Sequence, residues 1–120
     1  MTPSLLVSMI ALGVKDMARS IKFYSETLGM QLAGQPGEVT RFHGGGVQIA
    51  LNHPLGSAAG SDMVGAVEVI FSVDGVVAAH LNLVERGCKF IQEPREVFAA
   101  SWAATFTDPD GHRLTIFGPR

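Results

Sequence analysis

The chain has 120 residues and a formal net charge of −2, with 47% hydrophobic and 17% charged residues. This length is typical of one domain with a real core, and the composition is that of an ordinary globular protein. The nine lysine and arginine residues are scattered along the chain, so no basic patch of the kind that binds nucleic acid is present. We therefore expect no nucleic-acid partner.

Neither a membrane segment nor a cluster of metal-binding thiolates is expected. The apolar runs stay well short of the roughly eighteen residues that a membrane-spanning helix requires, and we recognise no signal peptide before the first predicted strand. Cys88 is the only cysteine, which rules out an intramolecular disulfide and favours a role as a small buried hydrophobe. We expect no membrane partner and a cytoplasmic location.

The first half of the chain predicts a strand, a capped helix and three short strands. Apolar residues alternate over 8–14, as in a half-buried strand. Asp16 is the expected N-cap of the helix, and Gly29 is its expected end. Apolar side chains recur on one face of this helix, at Met17, Ile21, Tyr24 and Leu28. The extended pieces that follow are predicted at Met30–Ala33, Val39–His43 and Val47–Leu51.

The second half repeats this order. Apolar residues alternate over 67–73, and Asp74 is the expected N-cap of a helix that ends near Gly87. Further strands are predicted at Lys89–Gln92, Trp102–Thr107 and Arg113–Phe117. The sequence DPDG over 108–111 predicts a turn, because Pro109 presets φ and Gly111 tolerates left-handed geometry.

The two halves look like copies of one unit. Val14 and Val73, which end the first strand of each half, lie 59 positions apart, and both halves predict the order βαβββ. We expect a single domain made of a first module over about 4–53, a linker rich in Gly, Ser and Ala over 54–65, and a second module over about 66–119.

Period-two alternation divides the strand side chains between two faces. One face is apolar and is expected to pack under the helices. The other mixes small side chains with isolated polar groups and includes Met9, Arg41, His43, Gln48, Glu68 and Phe117. Such a face suits a concave sheet around a small-molecule pocket. The alternative is a face that meets a second subunit or is shallow and solvated.

Two motifs resemble the vicinal oxygen chelate superfamily. One is V-K-D-M-x-x-S-I-x-F-Y-x-x-x-L-G-M over 14–30, and the other is F-T-D-P-D-G-H-R-L-T-I-F over 106–117. This superfamily includes glyoxalase I, bleomycin-resistance proteins, fosfomycin-resistance enzymes and extradiol dioxygenases. The resemblance covers essentially the whole chain. It implies an α+β fold of duplicated βαβββ modules that form a concave, partly closed mixed sheet, and it is less specific for activity.

The resemblance also implies where a metal would be held and that the chain forms a homodimer. Members that bind a metal ion take ligands from the first and last strands of each repeat, and the matching positions here are Met9, Ala50, Glu68 and Thr115. Thioether, methyl and hydroxyl groups do not replace imidazole and carboxylate around a divalent cation. No close ligand spacing joins the four histidines, and only His43 is kept as a candidate. We therefore expect no metal and no cofactor.

Glu68 is the strongest candidate for a catalytic residue. Arg41 and Arg113 have the right parity to reach the same face. If Glu68 pairs with an arginine, it is a structural ion pair or a ligand anchor. If it is unpaired among apolar side chains, it resists ionisation and becomes a candidate general acid or base.

Two functions follow as hypotheses. The first is a metal-independent small-molecule-binding protein of the glyoxalase or bleomycin-resistance type, which holds an apolar or aromatic ligand in the cleft. Arg41, Gln48 and Glu68 would orient this ligand, His43 would add a hydrogen bond, and Met9, Trp102 and Phe117 would contact it. Trp102 could equally cap the core or seal a subunit contact.

The second hypothesis is an enzyme. It would be a glyoxalase-like lyase or isomerase, either metal-free with Glu68 as the catalytic acid or base, or with an unusual metal set that includes Glu68 and His43. A weaker third reading is a subunit with a vestigial pocket that serves protein contact.

Overall fold

The structure, a computed structural model, describes residues 9–58 and 67–120. The chain divides into two compact units, unit 1 (Met1–Ala59) and unit 2 (Gly60–Arg120). Each unit contains one mixed sheet with helices, so the predicted α+β class is confirmed. Ser8 of the first predicted strand and residues 59–65 of the predicted linker lie outside the described residues. No helix in the described ranges is long and apolar enough to cross a bilayer.

Unit 1 is a three-stranded sheet with two short helices. Its elements are β1 (Met9–Gly13), α1 (Met17–Lys22) continued by a π-helical turn (Phe23–Thr27), β2 (Val39–His43), β3 (Gln48–Asn52) and α2 (His53–Ala58). The strand order is β1-β3-β2, with β1 parallel and β2 antiparallel to β3. The first strand of the unit therefore pairs with its last strand.

The helix of unit 1 begins and ends where the sequence predicts. The Asp16 carboxylate accepts a hydrogen bond from the backbone N–H of Arg19 at 3.1 Å, as an N-cap does. Gly29 has a φ of 73°, which glycine adopts readily after a helix end. Tyr24 is completely buried, and its ring centroid lies 5.8 Å from that of the equally buried Phe42. The apolar helix face thus packs on the sheet.

The structure differs from two of the predictions for unit 1. The strand predicted at Met30–Ala33 is reduced to a single bridge between Leu32 and Phe42, since Gly34 turns the chain away with a φ of 112°. The first part of the predicted linker forms α2 instead of a loop. The Asn52 side chain accepts the backbone N–H of Leu55 at 2.8 Å and so starts this short helix.

Unit 2 is a four-stranded sheet with one helix. Its elements are β4 (Glu68–Ser72), α3 (Val76–Glu85), β5 (Lys89–Phe98), β6 (Ser101–Thr107) and β7 (Arg113–Gly118). The strand order is β4-β7-β6-β5, with β4 parallel to β7 and the other pairs antiparallel. Its first and last strands pair in parallel, as they do in unit 1.

The predicted N-cap of the second helix is wrong. Gly75 occupies the N-cap position without any side-chain hydrogen bond. The backbone N–H groups of Val76 and Val77 donate instead to the carbonyl oxygens of Pro119 and Arg120, both at 2.9 Å. Because the chain after β7 already satisfies the donors of this helix end, no aspartate side chain is needed there.

The DPDG turn is confirmed and has a specific anchor. Asp108 is buried, and its carboxylate accepts the backbone N–H groups of Asp110 at 3.0 Å and His112 at 2.8 Å. Gly111 has a φ of 90°, in the left-handed region that glycine tolerates. The turn therefore fixes the register between β6 and β7.

Cys88 is buried, as the sequence predicts. Burial raises the pKa of its thiol above the usual value, and the nearby Arg86 opposes this to a smaller extent. A buried thiol with a raised pKa is a poor nucleophile at neutral pH. Cys88 therefore contributes to the packing of the core.

A close approach between two glycines joins β1 to α2. A Cβ atom added to Gly56 would lie 2.2 Å from the carbonyl oxygen of Val14, and one added to Gly13 would lie 2.8 Å from the backbone of Gly56. Real Cβ contacts are never this short, so the backbone would have to shift. We expect Gly56→Ala to lower the free energy of unfolding by about 2 kcal/mol, measured by urea denaturation.

Gly46→Ala is the matched control, because a Cβ there meets nothing within 4 Å. Its effect should stay within about 0.5 kcal/mol. Equal stability of the two variants would contradict the close packing of α2 on β1.

Candidate functional site

The strands of unit 1 separate two chemically different faces. Residues 10, 12, 40, 42, 49 and 51 form the apolar side, most of them buried. The opposite side, here called the mixed face of unit 1, carries Met9, Ala11, Val39, Arg41, His43, Gln48 and Ala50. Met9 is 43% exposed, and Arg41 and His43 are also exposed. The structure thus brings together four of the predicted ligand-binding residues on one face.

Three of these residues form one row across the sheet. Gln48 on β3 is the register partner of Met9 on the parallel strand β1 and of His43 on the antiparallel strand β2. Side chains that face each other across neighbouring strands have Cβ atoms about 5 Å apart. The thioether, amide and imidazole groups are therefore direct neighbours.

Arg41 is held on this face from two sides. Its Nη1 atom donates to the Gln48 side-chain oxygen at 3.2 Å. On the other side the chain passes at Gly34, where an added Cβ would lie only 2.9 Å from Arg41 Nη2. The absence of a side chain at Gly34 leaves room for the guanidinium group.

The mixed face of unit 2 is built around Glu68. By strand alternation this face carries Glu68, Ile70, Ser72, Ala103, Thr105, Thr107, Arg113, Thr115 and Phe117. Arg113 Nε lies 3.2 Å from Glu68 Oε2, and Thr115 Oγ1 donates to Glu68 Oε1 at 2.9 Å. Both carboxylate oxygens therefore accept a hydrogen bond from the sheet itself.

A chain of hydroxyl groups extends this arrangement. Thr105 Oγ1 lies 2.8 Å from Thr115 Oγ1, and both threonines are buried. A hydroxyl has one proton to donate. Because Thr115 donates its proton to Glu68, Thr105 must be the donor to Thr115. The hydrogen-bond chain runs from Thr105 through Thr115 to the Glu68 carboxylate.

Glu68 thus follows the first of the two alternatives that the sequence left open: it is paired with an arginine. The sequence indicated Arg113 as a candidate partner and Thr115 as a position that matches a metal ligand, but it did not indicate that Thr105 and Thr115 form a hydrogen-bond chain to Glu68. The two threonines could have been found from the alternation of side chains along β6 and β7 together with the parallel pairing of β4 and β7. This pairing places Glu68 beside Arg113 and within reach of Thr115, the next residue on that face.

Trp102 and Phe117 do not lie on the same side of the sheet. Phe117 pairs with Ser72 and Ala103 on the mixed face. Trp102 alternates with Ala103 and shares its side with the buried Ala104 and Phe106. The Arg120 guanidinium carbon lies 5.1 Å from the centroid of the Trp102 ring, which is within cation–π range. This position matches the alternative reading of Trp102 as a residue that covers the core.

The metal positions of the resembling family do not suit a divalent cation in this chain. Unit 1 offers the thioether of Met9 and the methyl group of Ala50, and neither is a ligand for a hard or borderline ion. In unit 2, both Glu68 oxygens already accept hydrogen bonds, one of them from the positively charged Arg113, which repels a second cation. Within 9–58 and 67–120, no three His, Cys, Asp or Glu residues form a group that could hold a metal.

Comparison with known proteins finds a family model that matches this chain. The family model described as Glyoxalase/Bleomycin resistance protein/Dioxygenase superfamily matches residues 6–116. The comparison with curated proteins finds no match.

Several solved structures share the fold at low sequence identity. A glyoxalase/bleomycin resistance protein/dioxygenase from Nocardioides has a TM-score of 0.82 at 21% identity, over 98% of this chain and 85% of that one. TnmS3, an antibiotic binding protein from Streptomyces sp. CB03234, has a TM-score of 0.80 at 24% identity, over 100% of both chains. Lactoylglutathione lyase from Agrobacterium tumefaciens has a TM-score of 0.78 at 18% identity, over 97% and 95%.

These likenesses show a common fold, and the family model spans nearly the whole chain. The two mixed sheets with parallel first and last strands agree with it. The chain belongs to the glyoxalase/bleomycin resistance protein/dioxygenase superfamily.

Proposed function

We propose that this chain is a metal-independent small-molecule-binding protein that holds an apolar or aromatic ligand against a mixed face of its sheets. The main support for this proposal is the hydrogen bonding of Glu68. Its two carboxylate oxygens already accept hydrogen bonds from Arg113 and Thr115. These two hydrogen bonds fix the position of the carboxylate on the sheet. Such a carboxylate suits orienting a ligand better than exchanging protons with it.

Exposed apolar side chains beside fixed polar groups support binding. Ile70 is 61% exposed in the middle of β4, close to the Glu68–Arg113 ion pair. Met9 is 43% exposed in unit 1. Ligand sites commonly combine apolar contact area with a few positioned polar groups. Among the neighbours in fold, TnmS3 is an antibiotic binding protein, which supports the same reading for this chain.

The alternative function is a glyoxalase-like lyase or isomerase with Glu68 as acid or base. The observation in its favour is that Glu68 is 36% exposed and joined to the Thr105–Thr115 hydroxyl chain, and one neighbour in fold is a lactoylglutathione lyase. The homodimer and the cytoplasmic location stay predictions that rest on the family resemblance and on the sequence.

Ile70→Ser tests whether the mixed face of unit 2 contacts ligand. A thermal-shift panel of small aromatic compounds, with 2-naphthamide as the neutral reference, identifies a binder, and titration calorimetry gives its affinity. Losing the apolar contact at Ile70 should weaken this affinity roughly tenfold.

Leu81→Ser on α3 is the matched control, since Leu81 is a large apolar residue of nearly equal exposure at 58%. Its affinity should equal that of the unchanged protein. Equal weakening by both substitutions would show that the mixed face has no special role.

Glu68→Gln separates the two functions. The substitution keeps the shape of the side chain and removes its charge, and an exposed ion pair of this kind contributes only about 0.5 kcal/mol to stability. Under the binding proposal, we expect a folded protein whose affinity for the aromatic binder changes less than about fivefold. Lactoylglutathione lyase activity that is present in the unchanged protein and abolished in Glu68→Gln would establish the enzyme instead.

A further inference from the structure

Arg41 and Arg113 both lie on a mixed face, but they differ in their partners. Arg113 is paired with the Glu68 carboxylate at 3.2 Å. Arg41 donates instead to the neutral amide oxygen of Gln48, and it lies within ion-pair distance of no carboxylate among the described residues. Among the described residues, no carboxylate therefore neutralises the positive charge of Arg41.

The mixed face of unit 1 supplies no anion from the described strands. Its strand residues are apolar, small, amide, imidazole or guanidinium groups. A positioned charge of one sign next to apolar surface is a feature of sites that recognise a ligand of opposite charge. Arg41 has this setting, with Met9 and Val39 as exposed apolar neighbours on the same face.

The hydrogen-bonding groups around Arg41 are arranged as donors. The guanidinium has five N–H donors and no acceptor, so only the oxygen of the Gln48 amide can face it. This orientation turns the two N–H donors of the Gln48 amide away from Arg41. His43, the register partner of Gln48, has at least one ring N–H to offer. The Arg41 guanidinium and the Gln48 amide together therefore present several N–H donors on this face.

We infer that the ligand of this protein carries an oxyanion, such as a carboxylate attached to an apolar or aromatic body, and that Arg41 and the Gln48 amide bind it. This inference rests on the proposed function and adds the charge class of the ligand. A planar oxyanion accepts parallel hydrogen bonds from guanidinium, and such charge-assisted bonds are stronger than neutral ones. Gln48 is a positioning residue for Arg41 as well as a donor.

The experiment compares 2-naphthoate with its neutral near-isostere 2-naphthamide by titration calorimetry at neutral pH. The unchanged protein should bind 2-naphthoate about fivefold more tightly, the range expected for an exposed ion pair. Raising the salt concentration from about 0.05 M to about 0.5 M should remove most of this preference, because screening acts on the charged probe alone.

Two substitutions test the assignment to Arg41. Arg41→Gln removes the charge. Gln48→Glu keeps the shape but gives Arg41 a carboxylate partner, as Glu68 does for Arg113. Both should reduce the preference for 2-naphthoate over 2-naphthamide to about one. Arg19→Gln on the exposed side of α1 removes the same charge elsewhere and should keep the full preference.

The outcomes distinguish this inference from the proposed function. Equal affinity of both probes for the unchanged protein, or a preference that survives in Gln48→Glu, would overturn the oxyanion site and leave a general aromatic-binding protein. If neither probe binds at millimolar concentration, the inference and the proposed function fail together. If Arg41→Gln does not fold, as judged by circular dichroism, the isosteric Gln48→Glu decides alone.

Discussion

The parallel pairing of the first and last strands is the constraint on which the chemistry of each unit depends. In unit 1 it places Met9 beside Gln48, and in unit 2 it places Glu68 beside Arg113. Because side chains alternate along each strand, a shift of one residue in either pairing would turn all these groups to the apolar side. In unit 2, the anchored Asp108 turn also holds the register between β6 and β7, the strand that carries Arg113. Pairing, and not any single side chain, therefore decides which groups share a face of the sheet.

The same pairing gives the two mixed faces different electrostatic character. In unit 2, a glutamate at the first-strand position neutralises Arg113 and accepts the proton of Thr115. In unit 1, a methionine occupies the comparable position, and the nearby arginine is held by an amide instead. At the positions where the resemblance implies metal ligands, the chain thus carries an apolar side chain in one unit and a closed ion pair in the other. Under the proposed function, both positions suit contact with an organic molecule better than coordination of a cation.

Much of the fold follows from the sequence, and the exceptions have identifiable causes. Strand alternation, the Asp16 cap and the Gly29 helix end rest on local interactions and could be predicted. The cap at Asp74 could not, because its place is taken by carbonyl groups of Pro119 and Arg120, more than forty residues away. The strand predicted at Met30–Ala33 is only a single bridge to β2, because the chain turns at Gly34, and the sequence pattern did not reveal this.

The candidate site shows the same division between local and distant information. The face of each strand residue follows from parity, which correctly grouped Met9, Arg41, His43 and Gln48. The pairing of Glu68 with Arg113 depends on register between strands 45 positions apart, and parity alone left Arg41 and Arg113 equally eligible. Parity also places Trp102 opposite Phe117, so a stacking role shared by both could have been questioned from the sequence.

The central hypothesis is that this protein binds its ligand without a metal ion. The most direct test is to titrate an aromatic binder into the purified protein before and after exhaustive chelation, with elemental analysis of both samples. The account predicts the same affinity in both and no stoichiometric metal in either. Loss of binding on chelation, restored by one equivalent of a divalent cation, would contradict it.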